Sequence, residues 1–356
     1  MPRTGLRLEK LITITKYFSD FESYGKAAEV EAETVAWAQE FSLELPSYSH
    51  IRMSTDTHKL ADYPTAVVIS KIYHLLYFID DKMANDTRRS LSTDEAAELK
   101  PEELLQSCFL FIETGKLPEN PPALLLALAD LLHDLLQVAD QRWLIGFMTE
   151  LEKHLRIATQ NLDTSVVGKI WSLEEYIKTR RLVSGMNVMI WLTKLEATSR
   201  LGQHAYVTPE QMKKYGFGHI IDELESTVED YGGLANDVIS VEKELRRGTD
   251  FNLVLLLMLS PQFSDNFPAA IQEASHIVNT KFNRSLVIVE KFRRMITHPQ
   301  LHVGTETNPE FQQVYDYLVT YVPALLNCMI ATWYYQTLSE RYKSPTSPYR
   351  ENRTNL

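Results

Sequence analysis

Asn236, Ser240 and Glu244 lie four residues apart in the stretch 234–244. In a helix with 3.6 residues per turn each step of four advances about 40°, so the three share one stripe. The stripe offers an amide oxygen, a hydroxyl and a carboxylate, hard oxygen ligands of the kind Mg²⁺ takes. Lys243 sits beside them, in reach of an anion held by such a metal. A solvated helix face can carry the same residue types, so this stripe alone leaves both readings open.

A second acidic cluster, Asp80-Asp81-Lys82-Met83-Ala84-Asn85-Asp86, closes one of the most apolar segments of the chain, 66–79. A polar helix end before a loop is one reading. The other starts from self-repulsion: paired carboxylates at the rim of a core repel unless a cation is present. Asp81 and Asn85 share a face if the helix persists that far. Facing each other across a bundle, the two clusters would hold several Mg²⁺ ions. The natural ligand of such ions is diphosphate, because Mg²⁺ combines a few carboxylates with substrate phosphates.

The elements that position these groups read as helices. Spacing predicts an amphipathic helix over 25–41 and a connection over 42–56. A helix with Pro64 in its first turn runs up to Asp81. That helix is apolar nearly all round and should be buried. Residues 85–93 read as a loop. Further helices are expected over 102–114, 121–139 and 140–163. Ser172 caps the next, with Glu174 and Glu175 in its first turn, and its pattern stays apolar to Leu201. Thr208-Pro209-Glu210 starts a pattern that passes through the Asn236 stripe to Arg247. Segments 251–259, 267–296 and 308–342 complete the set. About ten helices with short connections imply an all-α bundle. No linker divides the 356 residues, so 1–342 is expected to be a single domain and 343–356 a flexible tail.

Composition narrows the function. A formal net charge of −11 opposes a nucleic-acid surface, which is normally basic. The 2 cysteines, Cys108 and Cys328, give neither a disulfide framework nor a zinc spacing, so a reducing cytoplasm is the default. The N-terminus lacks a signal-peptide core, and runs such as 253–259 are too short to span a bilayer. His74 and His219 sit in apolar sequence and read as satisfied core histidines.

The chain resembles a class I terpene synthase of the microbial, single-domain type. Asn236-Asp-Val-Ile-Ser240-Val-Glu-Lys-Glu244 is similar to that family's second metal motif, Asn-Asp-x-x-Ser-x-x-x-Glu, and the Asp80-Asp81 segment resembles its first. Arg341-Tyr342 is similar to its diphosphate-binding pair. Arg181-Leu-Val-Ser184-Gly185 resembles its sensor segment, in which the Arg meets diphosphate and a helix-breaking Gly four residues on presents a carbonyl. The matches span 64–342. Two departures stand out. Ala84 and Asn85 occupy the places where the first motif usually has Asp or Glu, so either Asn85 or Asp86 completes it. The distance from Arg181 to Asn236 is long, which puts an extended loop near 202–208.

The resemblance implies a helical bundle with a central active-site cavity and a Mg²⁺-dependent cyclase acting on a linear prenyl diphosphate of C15 or C20 length. It implies three Mg²⁺ ions held by Asp80, Asp81, Asn85 or Asp86, Asn236, Ser240 and Glu244. Arg181, Lys243, Arg341 and Tyr342 would grip the diphosphate. Tyr77, Phe78, Trp333 and Tyr335 are the aromatic candidates for lining the cavity, and Gly185 is a candidate carbonyl for the final deprotonation. Family members are commonly homodimers. A chain-elongating prenyl transferase would show a second Asp-rich motif in place of Asn/Ser/Glu, and a non-catalytic helical scaffold would need neither motif.

Overall fold

The computed structural model describes residues 12–20, 22–45, 49–86, 101–159, 171–247, 250–264, 266–298 and 308–338. Among them there are helices and no strands, as the period predicts. They divide into two compact units, one of Ser23–Thr159 with Lys194–Tyr206, the other of Met1–Glu22, Gln160–Thr193 and Val207–Leu356.

The first unit contains α1 (Ala27–Glu40), α2 (Ser49–Thr57), α3 (Tyr63–Asp86), α4 (Pro101–Thr114), α5 (Ala123–Val138) and α6 (Gln141–Thr159). α3 is its axis, with α1, α2 and α5 packed on it. Asp62 starts α3 by accepting the Thr65 amide at 3.0 Å, with Pro64 in the first turn. Two stripes of α3 are buried in different ways. Ile72, Leu75, Leu76 and Ile79 line an apolar cavity together with Cys108, Leu128 and Leu155. Ser70, Tyr73, His74 and Tyr77 make polar contacts.

Those polar contacts explain α2, where the sequence reading expects a connection. Its residues from His50 to Thr57 are buried except Arg52. Ser54 Oγ meets Ser70 Oγ at 2.5 Å, and His50 Nε2 meets His74 Nδ1 at 2.9 Å. Just beyond the helix, His58 bridges Glu196 at 3.2 Å and Tyr73 at 3.1 Å. Tertiary hydrogen bonds supply what intrinsic propensity lacks. His74 is a satisfied core histidine, as expected, whereas His219 is exposed. α3 also continues through Asn85 and Asp86, where a loop was expected.

The second unit contains a 3₁₀-helix (Thr13–Asp20), α7 (Leu173–Val183), α9 (Pro209–Lys214), α10 (Gly218–Arg247), α11 (Leu253–Met258), α12 (Phe267–Ile296) and α13 (Pro309–Leu338). The boundary between the units falls inside α8 (Met186–Ser199). α10 is the axis here, with α7, α11, α12 and α13 against it. Its core is aromatic: Phe282 of α12 meets Tyr231 of α10 at 5.9 Å and Tyr17 at 5.6 Å. Each such ring stabilises the fold by about 1.5–3 kcal/mol through burial.

Two apolar patterns divide into separate helices. The segment after Ser172 breaks at Ser184 and Gly185, where φ is +72°, at the glycine that the resemblance marks as helix-breaking. The segment after Thr208 breaks before α10, where Gly216 has φ +81°. Both are left-handed geometries that glycine adopts without a Cβ clash. The two helix starts hold as read, and each is closed by a capping box: Ser172 pairs with Glu175, and Thr208 with Gln211. α13 corrects the expectation about bilayer-length runs. It is long and apolar enough over Pro309–Thr337 to cross a membrane by length and composition, but it packs on α10 and α12 with much of that surface buried.

Candidate metal and diphosphate site

The Asn236–Glu244 motif lies on α10, and its stripe forms as the spacing predicts. Ser240 Oγ donates to Glu244 Oε1 at 2.6 Å, close enough for both to share one ion. Asn236 and Glu244 are half-buried and Ser240 is buried. Among the described residues no three His, Cys, Asp or Glu side chains cluster as a metal site. The motif instead presents a mixed amide, hydroxyl and carboxylate oxygen set, which fits Mg²⁺.

Asp237, between these residues, is fully buried. One carboxylate oxygen accepts Arg180 Nε at 2.7 Å. The other accepts the Tyr176 hydroxyl at 2.5 Å and the Leu253 amide at 3.2 Å. Arg180 also donates to Asn236 Oδ1 at 3.1 Å. Tyr176 and Arg180 are four apart on α7, so one face of α7 grips the back of the motif. The α11 side is tied by Asn252, whose Nδ2 donates to the Asp237 carbonyl at 2.8 Å and to Glu244 at 2.7 Å. Asn252 also caps α11 by accepting the Val254 amide. Burial pushes the Asp237 carboxyl up to about 6, against the opposing pull of Arg180. Burial works against the Arg180 charge, but Asp237, Tyr176 and Glu244 together outweigh it, and its pKa rises above the usual guanidinium range.

The sequence reading missed this network. Asp237 stands inside the motif, yet its partners Tyr176, Arg180 and Leu253 are remote along the chain, and no local spacing announces them. Gly232-Gly233 in mid-helix is a signal that was readable. A Cβ at Gly233 would lie 3.2 Å from both Arg180 Cγ and Ser184 Cβ, and one at Gly232 would run into the Met186 side chain. Two bare positions on α10 thus admit the break between α7 and α8.

The adjacent arginines have different partners. Arg180 belongs to the Asp237 network, whereas Arg181, the expected sensor, meets Asp230 Oδ1 at 2.7 Å. Gly185 sits four residues on, at the break. Lys243 is half-buried beside the stripe.

Of the aromatic candidates, Tyr77 is half-buried, with its ring stacked on His50 at 4.8 Å and 15°, and its hydroxyl 3.8 Å from Met53 Sδ. Phe78 is buried. Trp333 is fully buried with its indole NH unpartnered among the described residues, and Tyr335 is buried. Asp80, Asp81, Asn85 and Asp86 fall on the last turns of α3, and their side chains lie outside the described residues. Arg341, Tyr342 and the tail 343–356 also lie outside them.

A model of terpene synthase family 2, C-terminal metal binding, matches residues 71–284, which include Asp80-Asp81, Arg181 and the Asn236–Glu244 motif. Over 164 residues the chain is 26% identical to germacrene A synthase of Nostoc punctiforme. The alignment covers 46% of this chain and 47% of that protein, so the chain spans about half the length of this curated relative. The backbone is similar to that of α-eudesmol synthase, with TM-score 0.67 and 17% identity over 90% of this chain and 97% of the other. It is similar to the same extent to linalool/nerolidol synthase from Streptomyces clavuligerus in complex with 2-fluorogeranyl diphosphate: TM-score 0.67, 14% identity, 90% and 97% covered. These likenesses bear on the fold, which is the all-α class I terpene synthase fold.

Proposed function

Since the chain belongs to terpene synthase family 2, we propose that it is a Mg²⁺-dependent class I cyclase that ionises farnesyl or geranylgeranyl diphosphate. It closes the resulting carbocation to a sesquiterpene or diterpene hydrocarbon or alcohol and releases diphosphate. The observation that carries this reading is the Asn236–Ser240–Glu244 oxygen stripe on α10, braced from behind by Arg180, Asp237 and Asn252.

Mg²⁺, taken as three ions, supplies Lewis-acid charge to a leaving group with about three negative charges. Asn236, Ser240 and Glu244 hold part of that metal, and Asp80 and Asp81 with Asn85 or Asp86 hold the rest. Arg181, Lys243, Arg341 and Tyr342 donate to diphosphate oxygens as the C–O bond breaks. Tyr77, Phe78, Trp333 and Tyr335 exclude water and turn ring faces toward the cation. The Gly185 carbonyl or the released diphosphate takes the final proton. The bound 2-fluorogeranyl diphosphate named for the linalool/nerolidol synthase supports a prenyl diphosphate as the substrate class. We assign it to the cytoplasm as a single-domain chain, and light scattering of the purified protein decides between monomer and homodimer.

The deciding experiment incubates purified protein with Mg²⁺ and, separately, geranyl, farnesyl and geranylgeranyl diphosphate, followed by gas chromatography–mass spectrometry. A cyclic product from one of the two longer substrates is expected. Longer linear diphosphates made in the presence of isopentenyl diphosphate would assign the chain to the elongating enzymes instead, and folded protein with no turnover would favour the scaffold.

A further inference from the structure

Arg181, assigned above to the substrate diphosphate, is already engaged in this structure. Its Nε lies 2.9 Å and its Nη2 2.7 Å from Oδ1 of Asp230. Glu229 stands further off, at 3.6 Å. The second oxygen of Asp230 takes Lys281 Nζ at 2.8 Å. Asp230 is 6% exposed, while the side chains of Arg181 and Lys281 are 33% and 29% exposed. One nearly buried carboxylate therefore serves two cations, one on each oxygen. They come from different elements: Arg181 from the last turn of α7, Lys281 from the middle of α12.

The arrangement has a physical consequence. A buried carboxylate stripped of its only cation is costly. With Arg181 as its sole partner, Asp230 would resist losing it. Lys281 removes that resistance, because Asp230 stays paired when Arg181 leaves. Arg181 is also the side chain placed to leave. It stands next to the point where α7 ends at Ser184 and Gly185, with bare Gly233 beneath Ser184.

We propose that Asp230 is a positioning residue that holds Arg181 in reserve, and that Lys281 is the counter-ion that lets Arg181 exchange Asp230 for the diphosphate. This rests on the reading of Arg181 as a diphosphate ligand. Asp230 and diphosphate then compete for one guanidinium. Removing the Asp230 charge frees Arg181 for the ligand. Removing the Lys281 charge leaves Asp230 dependent on Arg181 and holds it back. The two substitutions act with opposite sign, whereas a merely structural role for the cluster moves both the same way.

The test is calorimetric titration of the full chain with inorganic diphosphate in the presence of Mg²⁺. Asp230→Asn is expected to bind roughly threefold to tenfold tighter than the wild type, and Lys281→Gln weaker by a similar factor. Lys281→Arg restores wild-type affinity. In an Arg181→Gln background both effects vanish, since neither residue then has a side chain to release. Shifts of the same sign, or effects that persist without Arg181, overturn the exchange. If Asp230→Asn does not fold, the direction of the Lys281→Gln shift and its loss in Arg181→Gln decide alone. If Arg181→Gln leaves diphosphate affinity unchanged, the assignment of Arg181 fails and the exchange with it. If that variant weakens binding while the other two shift alike, only the exchange fails.

Discussion

Arg180 Nε stands 2.7 Å from Asp237 Oδ1, and the carboxylate it meets is fully buried beneath the metal motif. Removing one partner leaves the other charged and uncompensated. Arg180→Met or Asp237→Ala is therefore expected to lower unfolding stability by about 3–5 kcal/mol, read from urea denaturation. Tyr176→Phe removes one neutral donor from the same carboxylate and should cost about 1–3 kcal/mol.

The residues of the oxygen stripe should behave differently. Asn236→Ala and Glu244→Ala remove proposed metal oxygens at half-buried positions, so melting temperature should change little. Turnover should fall by about 10²-fold or more, the scale of several kcal/mol of lost charge stabilisation. Full activity in either variant removes the stripe from the metal site.

Gly233 separates helix propensity from packing. In an open helix interior, glycine to alanine stabilises by about 1 kcal/mol. Here the new Cβ would press on Arg180 Cγ and Ser184 Cβ at 3.2 Å. Gly233→Ala is expected to lose that gain and to destabilise by about 1 kcal/mol net, with reduced turnover because the α7–α8 break shifts. A stabilised variant with full activity would show that the break has room to spare.

Stability should depend on pH through His74. Burial lowers its pKa from 6.5, although its bond to the Leu43 carbonyl opposes the shift. Its Nε2 lies 2.7 Å from that carbonyl and must donate, so its Nδ1 accepts from His50. The folded state therefore binds fewer protons than the unfolded state as pH falls below about 6.5, and stability drops with pH in that window. Urea midpoints measured from pH 7.5 to 5 should show this slope, and His74→Gln should flatten it.

Burial raises the Cys108 thiol to about 11, and Cys328 is buried too. Reactivity follows the thiolate. Native protein at pH 8 should resist iodoacetamide at both cysteines and react at both once unfolded, as mass spectrometry would record.

Much of the site was legible because it is local. The Asn236, Ser240 and Glu244 stripe depends only on helical spacing, and the hydrogen bond between Ser240 and Glu244 bears that spacing out. The caps at Ser172 and Thr208 were legible for the same reason, since each involves a side chain and an amide three residues away. What lay beyond reach depends on contacts between distant segments. The spacing to Gly185 singles out Arg181 as the sensor candidate, but the partners of the two arginines are not local: α7 turns Arg180 toward Asp237 and Arg181 toward Asp230.

Helix α2 shows the same limit from the side of folding. Its sequence, rich in Ser, Thr and His, has little helical propensity, and its helix exists because Ser70, His74 and other distant groups meet its polar atoms. By itself the sequence determined the helical class, the caps and the ligand stripe, since these rest on interactions within one or two turns. Only the tertiary structure decided which buried charges pair and why Gly232 and Gly233 are bare. Each of those depends on the close approach of segments that are remote along the chain.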